Sequence, residues 1–147
     1  MKIHVQSHLR TDLATAWTAY NAPTHITRWN AASDDWHCPR SEADLREGGR
    51  FCHRMEARDG SAGFDFEGVF TQVVPQQQLD YRMDDGREAS VRFTPVDGGV
   101  QVEVAFDPDQ DYPAEFQQQG WQAILDRYAR YAESVDIAQA ADGDGRA

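Results

Sequence analysis

Residues 113–135 read PAEFQQQGWQAILDRYARYAESV, and this stretch decides the fold class of the chain. Apolar side chains recur there at helical spacing and form one stripe, which comprises Trp121, Ile124, Leu125, Tyr128, Ala132 and Val135. Extended backwards, the stripe takes in Ala114 and Gln117. A long amphipathic helix of this kind must bury its stripe against other elements of the chain, and those elements are mainly strands.

The chain before this helix alternates between apolar and polar residues. Six short runs between Trp36 and Phe106 show a period of two, which predicts a meander of antiparallel strands. Asp59-Gly60, Asp85-Gly86 and Asp97-Gly98 separate neighbouring runs, and Asp-Gly is a strong hairpin signal.

The first residues of the chain add one more strand and two short helices. Ile3, Val5 and Leu9 alternate with polar residues, as in a half-buried strand. Thr11 is the predicted N-cap of a first helix, and Pro23 the predicted start of a second. We therefore expect an α+β fold, in which a curved antiparallel sheet of six to seven strands wraps around the long C-terminal helix. We expect one domain over residues 1–138 and a flexible acidic tail over residues 139–147.

The composition excludes several classes of partner. The 147 residues carry 14 Lys and Arg against 25 Asp and Glu, a formal net charge of −11. Nucleic-acid phosphates and anionic lipid surfaces attract basic proteins, so neither is an expected partner. No run of 18 apolar residues is present and the N-terminus lacks signal-peptide features, so we expect a cytoplasmic protein with no membrane partner.

The sequence offers little metal or cofactor chemistry. Cys38 and Cys52 are the two cysteines, and neither has zinc-ligand spacing. If the hairpin turns at Glu47-Gly48, Cys52 lies opposite Ala43, and the two cysteines are too far out of register for a disulfide. No nucleotide-binding or hydrolase motif is present. We expect no metal, no cofactor and no assigned catalytic residue.

The chain is rich in rings, with four Trp, five Tyr and seven Phe. Six of them are candidates to line a cavity between sheet and helix: Trp29, Trp36, Phe66, Tyr81, Phe93 and Trp121. The alternative is that they fill the core, since protein interiors are close-packed.

His53 alternates with Phe51 and Met55 and is expected on the inward face. It would orient a ligand or act as a general base, or it is a hydrogen-bonded core histidine. Gln117, Met55 and Leu125 complete the predicted ligand site.

The charged residues of the middle strands are expected in solvent. Asp65 and Glu67 have the opposite parity to Phe64 and Phe66. On the neighbouring strand, Arg54, Glu56 and Arg58 share that outward parity, which predicts cross-strand ion pairs. Such exposed pairs contribute little stability each.

Several dispersed stretches resemble one family. They are Ala16-Trp17, His25-Ile26-Thr27-Arg28-Trp29-Asn30, Asp44-Leu45-Arg46-Glu47-Gly48-Gly49-Arg50-Phe51, Phe66-Glu67-Gly68-Val69-Phe70, Val73-Val74-Pro75 and Gly120-Trp121 with Leu125 and Tyr131. Together they resemble the START-like (SRPBCC, Bet v 1-like, polyketide-cyclase-related) superfamily, in the branch similar to the C-terminal domain of the heat-shock protein 90 ATPase activator. The resemblance covers residues 3–135 and implies the helix-grip fold.

This resemblance implies three kinds of function. The first is a small-molecule binding protein that holds an apolar or aromatic ligand between the sheet and the C-terminal helix. The second is a cyclase- or hydrolase-type enzyme that uses His53 and a carboxylate in the same cavity. The third is a module that interacts with the chaperone and stimulates its ATPase. Homodimers are common in this branch, so a homodimer is a further expectation.

Overall fold

The computed structural model describes residues 2–135. Its elements in chain order are β1 (Ile3–Leu9), α1 (Leu13–Asn21), α2 (Pro23–Trp29), β2 (Trp36–Ala43), β3 (Arg50–Ala57), β4 (Gly63–Val74), β5 (Gln78–Met83), β6 (Glu88–Val96), β7 (Gly99–Phe106) and α3 (Ala114–Ser134). This order confirms the predicted α+β class, with two short helices after the first strand. The predicted acidic tail lies outside the described residues, as do residues 136–138 of the predicted domain.

All seven strands form one curled antiparallel sheet in the order β1-β7-β6-β5-β4-β3-β2. The predicted meander of six strands is confirmed, since β2 to β7 are consecutive neighbours in the sheet. The first strand joins beside the last, where Ile3 lies opposite Phe106 and Leu9 opposite Val100. The residues that point to the inner face of the sheet are the buried ones. Along β5, for example, Leu79, Tyr81 and Met83 are buried and alternate with more exposed residues.

The first helix begins one residue later than predicted. Asp12, not Thr11, is its N-cap, and the Asp12 carboxylate accepts a hydrogen bond from the backbone N–H of Thr15 at 2.7 Å. This hydrogen bond lowers the pKa of Asp12. Both residue types cap helices well, but a carboxylate also interacts favourably with the positive end of the helix dipole. The second helix starts at Pro23, as predicted.

The long helix α3 packs mainly against β1, α1 and α2. Leu125, Tyr128, Ala129 and Ala132 are its buried apolar residues. Polar contacts reinforce its position over β1, since the Gln122 side-chain amide donates to the backbone oxygen of Gln6 at 2.8 Å. Because the helix lies over β1, it makes few contacts with the middle strands and leaves much of their concave face uncovered.

The β2–β3 hairpin has a different register from the predicted one. Cys52 lies opposite Glu42, not Ala43, because Asp44 N–H donates to the Arg50 carbonyl and closes a loop centred on Glu47. A bulge between His37 and Arg40 then shifts the register again. Cys38 and Cys52 are both free cysteines.

The outer face of β3 and β4 carries ion pairs, as predicted. Arg54 lies 3.3 Å from a carboxylate oxygen of Asp65 on the next strand and 2.9 Å from one of Glu56 on its own strand. Arg58 was expected to join this group but lies beyond the end of β3, where its Nε donates to the backbone oxygen of Asp34 at 2.9 Å.

Candidate ligand-binding cavity

A cavity of about 290 Å³ lies between the concave face of the sheet and the three helices. Strands β3, β4 and β5 supply one wall, where the side chains of Phe51, Phe66 and Phe70 lie. The ring of Phe51 contacts both others, with centroid distances of 5.9 Å to Phe66 and 5.1 Å to Phe70. These rings reach the cavity because residues two apart along a strand point to the same face of the sheet.

Trp121 forms the wall on the side of α3. Its indole stacks on the ring of Phe106 with a centroid distance of 3.8 Å and an interplanar angle of 10°. It also meets the ring of Phe66 edge to face at 6.3 Å, so rings from the helix and from the sheet meet across the cavity. Phe64 also lines the cavity and is 53% exposed, so the space borders solvent on that side.

Seven of the ten predicted site residues line this cavity: Trp29, His53, Met55, Phe66, Tyr81, Trp121 and Leu125. They come from α2, β3, β4, β5 and α3, and the curvature of the sheet brings them together. Whether they bind a ligand stays a prediction, but their convergence is a property of the fold.

The other three predicted residues, Trp36, Phe93 and Gln117, lie elsewhere. Trp36 is at the start of β2, with its ring 6.0 Å from that of Phe64. Phe93 is 4% exposed and is covered by α1, whose Trp17 and Tyr20 contact its ring at 5.2 and 5.6 Å.

Gln117 is buried for a structural reason. Its side-chain amide nitrogen donates to the backbone oxygens of Asp109 and Tyr112, at 2.8 and 2.9 Å. Its side-chain oxygen accepts from the backbone N–H of Asp109 at 2.8 Å. Gln117, predicted as a ligand-site residue, therefore does not line the cavity, because these three hydrogen bonds engage its amide in holding the loop before α3.

His53 lies on the inward face of β3, as its parity predicts. One ring nitrogen is 2.9 Å from the hydroxyl oxygen of Ser41 on β2, and the ring stacks on Phe51 at 5.3 Å. Burial lowers the pKa of His53 to about 4, so the ring is neutral at neutral pH. No Asp or Glu from residues 2–135 lines the cavity, and the partner of His53 is a hydroxyl instead of a carboxylate.

Four polar residues that line the cavity were not predicted from the sequence: Tyr20, Asn21, Asn30 and Arg87. Arg87 lies in the turn before β6 and lines the cavity, and Tyr20 at the end of α1 does the same. A signal for Arg87 was present, because it has the same parity as the buried Ala89 and Val91. A charged residue that continues an inward-facing register is a candidate for a buried role.

A second cluster, formed by Cys52, Asp65 and Glu67, lies on the outer face. Their potential ligand atoms are within 4.8 Å of one another. Both carboxylates already have cationic neighbours, since Arg54 is 3.3 Å from Asp65 and Arg50 is 3.7 Å from Glu67. Burial, and then the nearby carboxylates, raise the pKa of the Cys52 thiol, which disfavours the thiolate that binds metals. This surface is therefore organised as an ion-pair network.

Among the described helices, none has both the length and the apolar character needed to cross a lipid bilayer.

The model of one protein family, described as Activator of Hsp90 ATPase homolog 1-like protein, matches residues 10–133. The AHSA1-like protein from Aeromonas hydrophila, known from a solution NMR structure, is 49% identical, with a TM-score of 0.86 over 91% of this chain and 93% of that one. Protein Chr148 from Cytophaga hutchinsonii is 39% identical, with a TM-score of 0.79 over 90% and 92% of the two chains.

More distant structures share the fold alone. Protein NE0264 from Nitrosomonas europaea is 16% identical, with a TM-score of 0.79 over 90% of this chain and 94% of that one. The comparison with curated proteins gave no match.

Proposed function

The chain belongs to the family of Activator of Hsp90 ATPase homolog 1-like proteins, within the START-like superfamily, and from this premise we propose that it binds a small apolar or aromatic molecule in its cavity. The observation that carries the proposal is the cavity of about 290 Å³ between sheet and helices. Ligand pockets generally have volumes of roughly 300–1,000 Å³ and mainly apolar walls. The volume therefore favours a small ligand.

The lining supports an aromatic or otherwise flat ligand. Phe51 and Phe66 from the sheet and Trp121 from α3 present their rings to the space. Aromatic pairs prefer offset-stacked or edge-to-face contacts at centroid distances of roughly 4.5–7 Å, and a ligand ring packed beside these three rings would make such contacts. The neutral ring of His53 and the amide of Asn30 add polar groups that can fix the orientation of a ligand.

Binding can be tested with N-phenyl-1-naphthylamine, a neutral probe whose fluorescence rises in apolar surroundings. We expect saturable binding to the wild-type protein. Ala43→Trp places an indole at the cavity wall and is expected to abolish binding, whereas Ala62→Trp, in the exposed turn between β3 and β4, should leave it unchanged. A wild-type protein that does not bind the probe, or equal binding by a folded Ala43→Trp variant, would contradict the proposal.

The family description gives a second candidate, a chaperone-associated module that stimulates the Hsp90 ATPase. It would act in addition to ligand binding or instead of it. The test is the ATPase rate of the cognate heat-shock protein 90 with and without this protein, and no stimulation at saturating concentration rejects it.

The enzyme alternative has less support. A general base is usually oriented by a further group, and the partner of His53 is the Ser41 hydroxyl. If a substrate is found, His53→Ala decides the matter, because unchanged turnover excludes catalysis through this ring.

A further inference from the structure

Arg87 is the one charged side chain that lines the cavity among residues 2–135. It follows the tight turn between β5 and β6, and its backbone oxygen accepts from Met83 N–H at 2.8 Å. Its Nε donates to a carboxylate oxygen of Asp85 at 2.8 Å, which orients the guanidinium. Its two terminal nitrogens make no hydrogen bond to any other described residue.

The pair with Asp85 does not use up the charge of Arg87. The Asp85 side chain is 52% exposed, and exposed ion pairs are strongly weakened by water. The contact also occupies only the Nε edge, whereas a guanidinium has five N–H donors. The terminal donors of Arg87 are therefore available for an acceptor inside the cavity.

Tyr81 provides a second unpaired donor beside Arg87. The residue is 7% exposed and lines the cavity, yet its hydroxyl has no hydrogen-bond partner in the described part of the chain. Burial raises the pKa of Tyr81, and the positive charge of Arg87 acts in the opposite direction, as expected for neighbouring groups. The Tyr81 hydroxyl is not among the fully buried polar atoms that lack a partner, so it keeps contact with the open space of the cavity, where water or a ligand atom can accept its hydrogen bond.

The remaining polar groups leave the charge of Arg87 uncompensated within the cavity. His53 is neutral at neutral pH, and no carboxylate from the described residues lines the space. The Tyr20 hydroxyl also lacks a protein hydrogen-bond partner within residues 2–135. The cavity thus combines apolar walls, one positive charge, two hydroxyl groups, the neutral ring of His53 and the side-chain amides of Asn21 and Asn30.

From this arrangement we propose that the ligand is an apolar or aromatic carboxylate, whose charged group is bound by the Arg87 guanidinium and the Tyr81 hydroxyl. The inference rests on the proposed ligand-binding function and specifies the class of ligand. A guanidinium presents parallel N–H groups that match the two oxygens of a carboxylate. An apolar acid can enter such a space only if a partner compensates its charge, and Arg87 supplies that partner.

Two probes with the same ring system test the proposal: 2-naphthoate, which is anionic at pH 7.5, and 2-naphthalenemethanol, which is neutral. Titration calorimetry should show that the wild-type protein binds the naphthoate at least tenfold more tightly than the alcohol. Arg87→Gln should weaken naphthoate binding at least tenfold and change alcohol binding less than twofold. Tyr81→Phe should weaken naphthoate binding severalfold.

Arg82→Gln is the matched control, because Arg82 is exposed on β5 and lies outside the cavity. It should leave both affinities unchanged, which separates a local contact from the loss of one positive charge in a protein of net charge −11. Arg87→Lys keeps the charge and should retain part of the preference.

Equal affinity of the wild-type protein for the two probes overturns the inference and leaves the proposed function intact. Unchanged naphthoate binding by a folded Arg87→Gln variant has the same meaning. If Arg87→Gln does not fold, the comparison of the two probes on the wild-type protein decides. If neither naphthalene probe nor N-phenyl-1-naphthylamine binds, the proposed function fails and the inference fails with it.

Discussion

The hydroxyl of Tyr128 on α3 donates a hydrogen bond to the backbone oxygen of Ala16 on α1 at 2.6 Å, and both residues are fully buried. This bond joins the long helix to the first one across the core. Tyr128→Phe removes it without changing the ring packing, and we expect the free energy of unfolding to fall by about 1 kcal/mol. Urea denaturation measures the change, and Tyr112→Phe, at a ring that is 57% exposed, should have no effect. Equal stability of the Tyr128→Phe protein would contradict the prediction.

His53 makes stability depend on pH. Its pKa falls from 6.5 to about 4 on folding, so the unfolded chain binds more protons than the folded one between these values. The contribution of the neutral His53 ring to stability is therefore fully present above pH 6.5. It is lost as the pH falls towards 4, which lowers the free energy of unfolding by ~2 kcal/mol for a half-buried ring. Denaturation curves of wild type and His53→Gln at pH 7 and pH 4.5 should show a smaller pH effect in the variant. Parallel pH dependences would argue against a lowered pKa.

Gln117 is expected to matter for stability and not for binding. Gln117→Ala removes three hydrogen bonds to the loop that contains Asp109 and Tyr112, and so takes away the partners of three part-buried backbone groups. We expect a loss of about 2 kcal/mol in the free energy of unfolding. The control is Gln119→Ala, because Gln119 is an exposed glutamine two residues further along α3. The affinity for N-phenyl-1-naphthylamine should stay the same in both variants, and a selective loss in Gln117→Ala would place this residue back in the site.

Two glycines should respond oppositely to replacement by alanine. Gly120 lies within α3 and a Cβ there meets no atom within 4 Å, so Gly120→Ala should stabilise the protein by up to about 1 kcal/mol. At Gly68 on β4 a Cβ would lie 2.2 Å from the backbone oxygen of Arg82, and Gly68→Ala should lower the melting temperature strongly. Thermal unfolding of both variants checks this contrast, and the prediction fails if both melting temperatures move in the same direction.

The sequence was sufficient for the fold because two periods are unambiguous in it. The helical stripe through Leu125 and Tyr128 and the alternation from Leu79 to Met83 each leave one face to bury. Features whose position depends on a single residue, such as a helix N-cap or the centre of a loop, were less predictable. Thr11 and Asp12 are both good N-caps, and a five-residue loop centred on Glu47 is hard to distinguish from a tighter turn.

The sequence predicted which face of the sheet carries the site, but it predicted the individual lining residues less well. Parity placed His53, Phe66 and Tyr81 on the inward side, and the cavity lies there. It could not reveal that α1 covers Phe93, because the contact joins elements that are far apart in the sequence. Arg87 was missed because charge usually indicates solvent exposure, although its register points inward.

The pairing of β1 with β7 has a consequence for the synthesis of this protein. On the ribosome Ile3 emerges early, but its partner Phe106 is added only after all the intervening strands have been translated. Non-local pairings of this kind slow folding, because a long loop must close before any contact compensates for the lost entropy. The nascent chain can build the meander from β2 onwards, while β1 stays unpaired until β7 has been made.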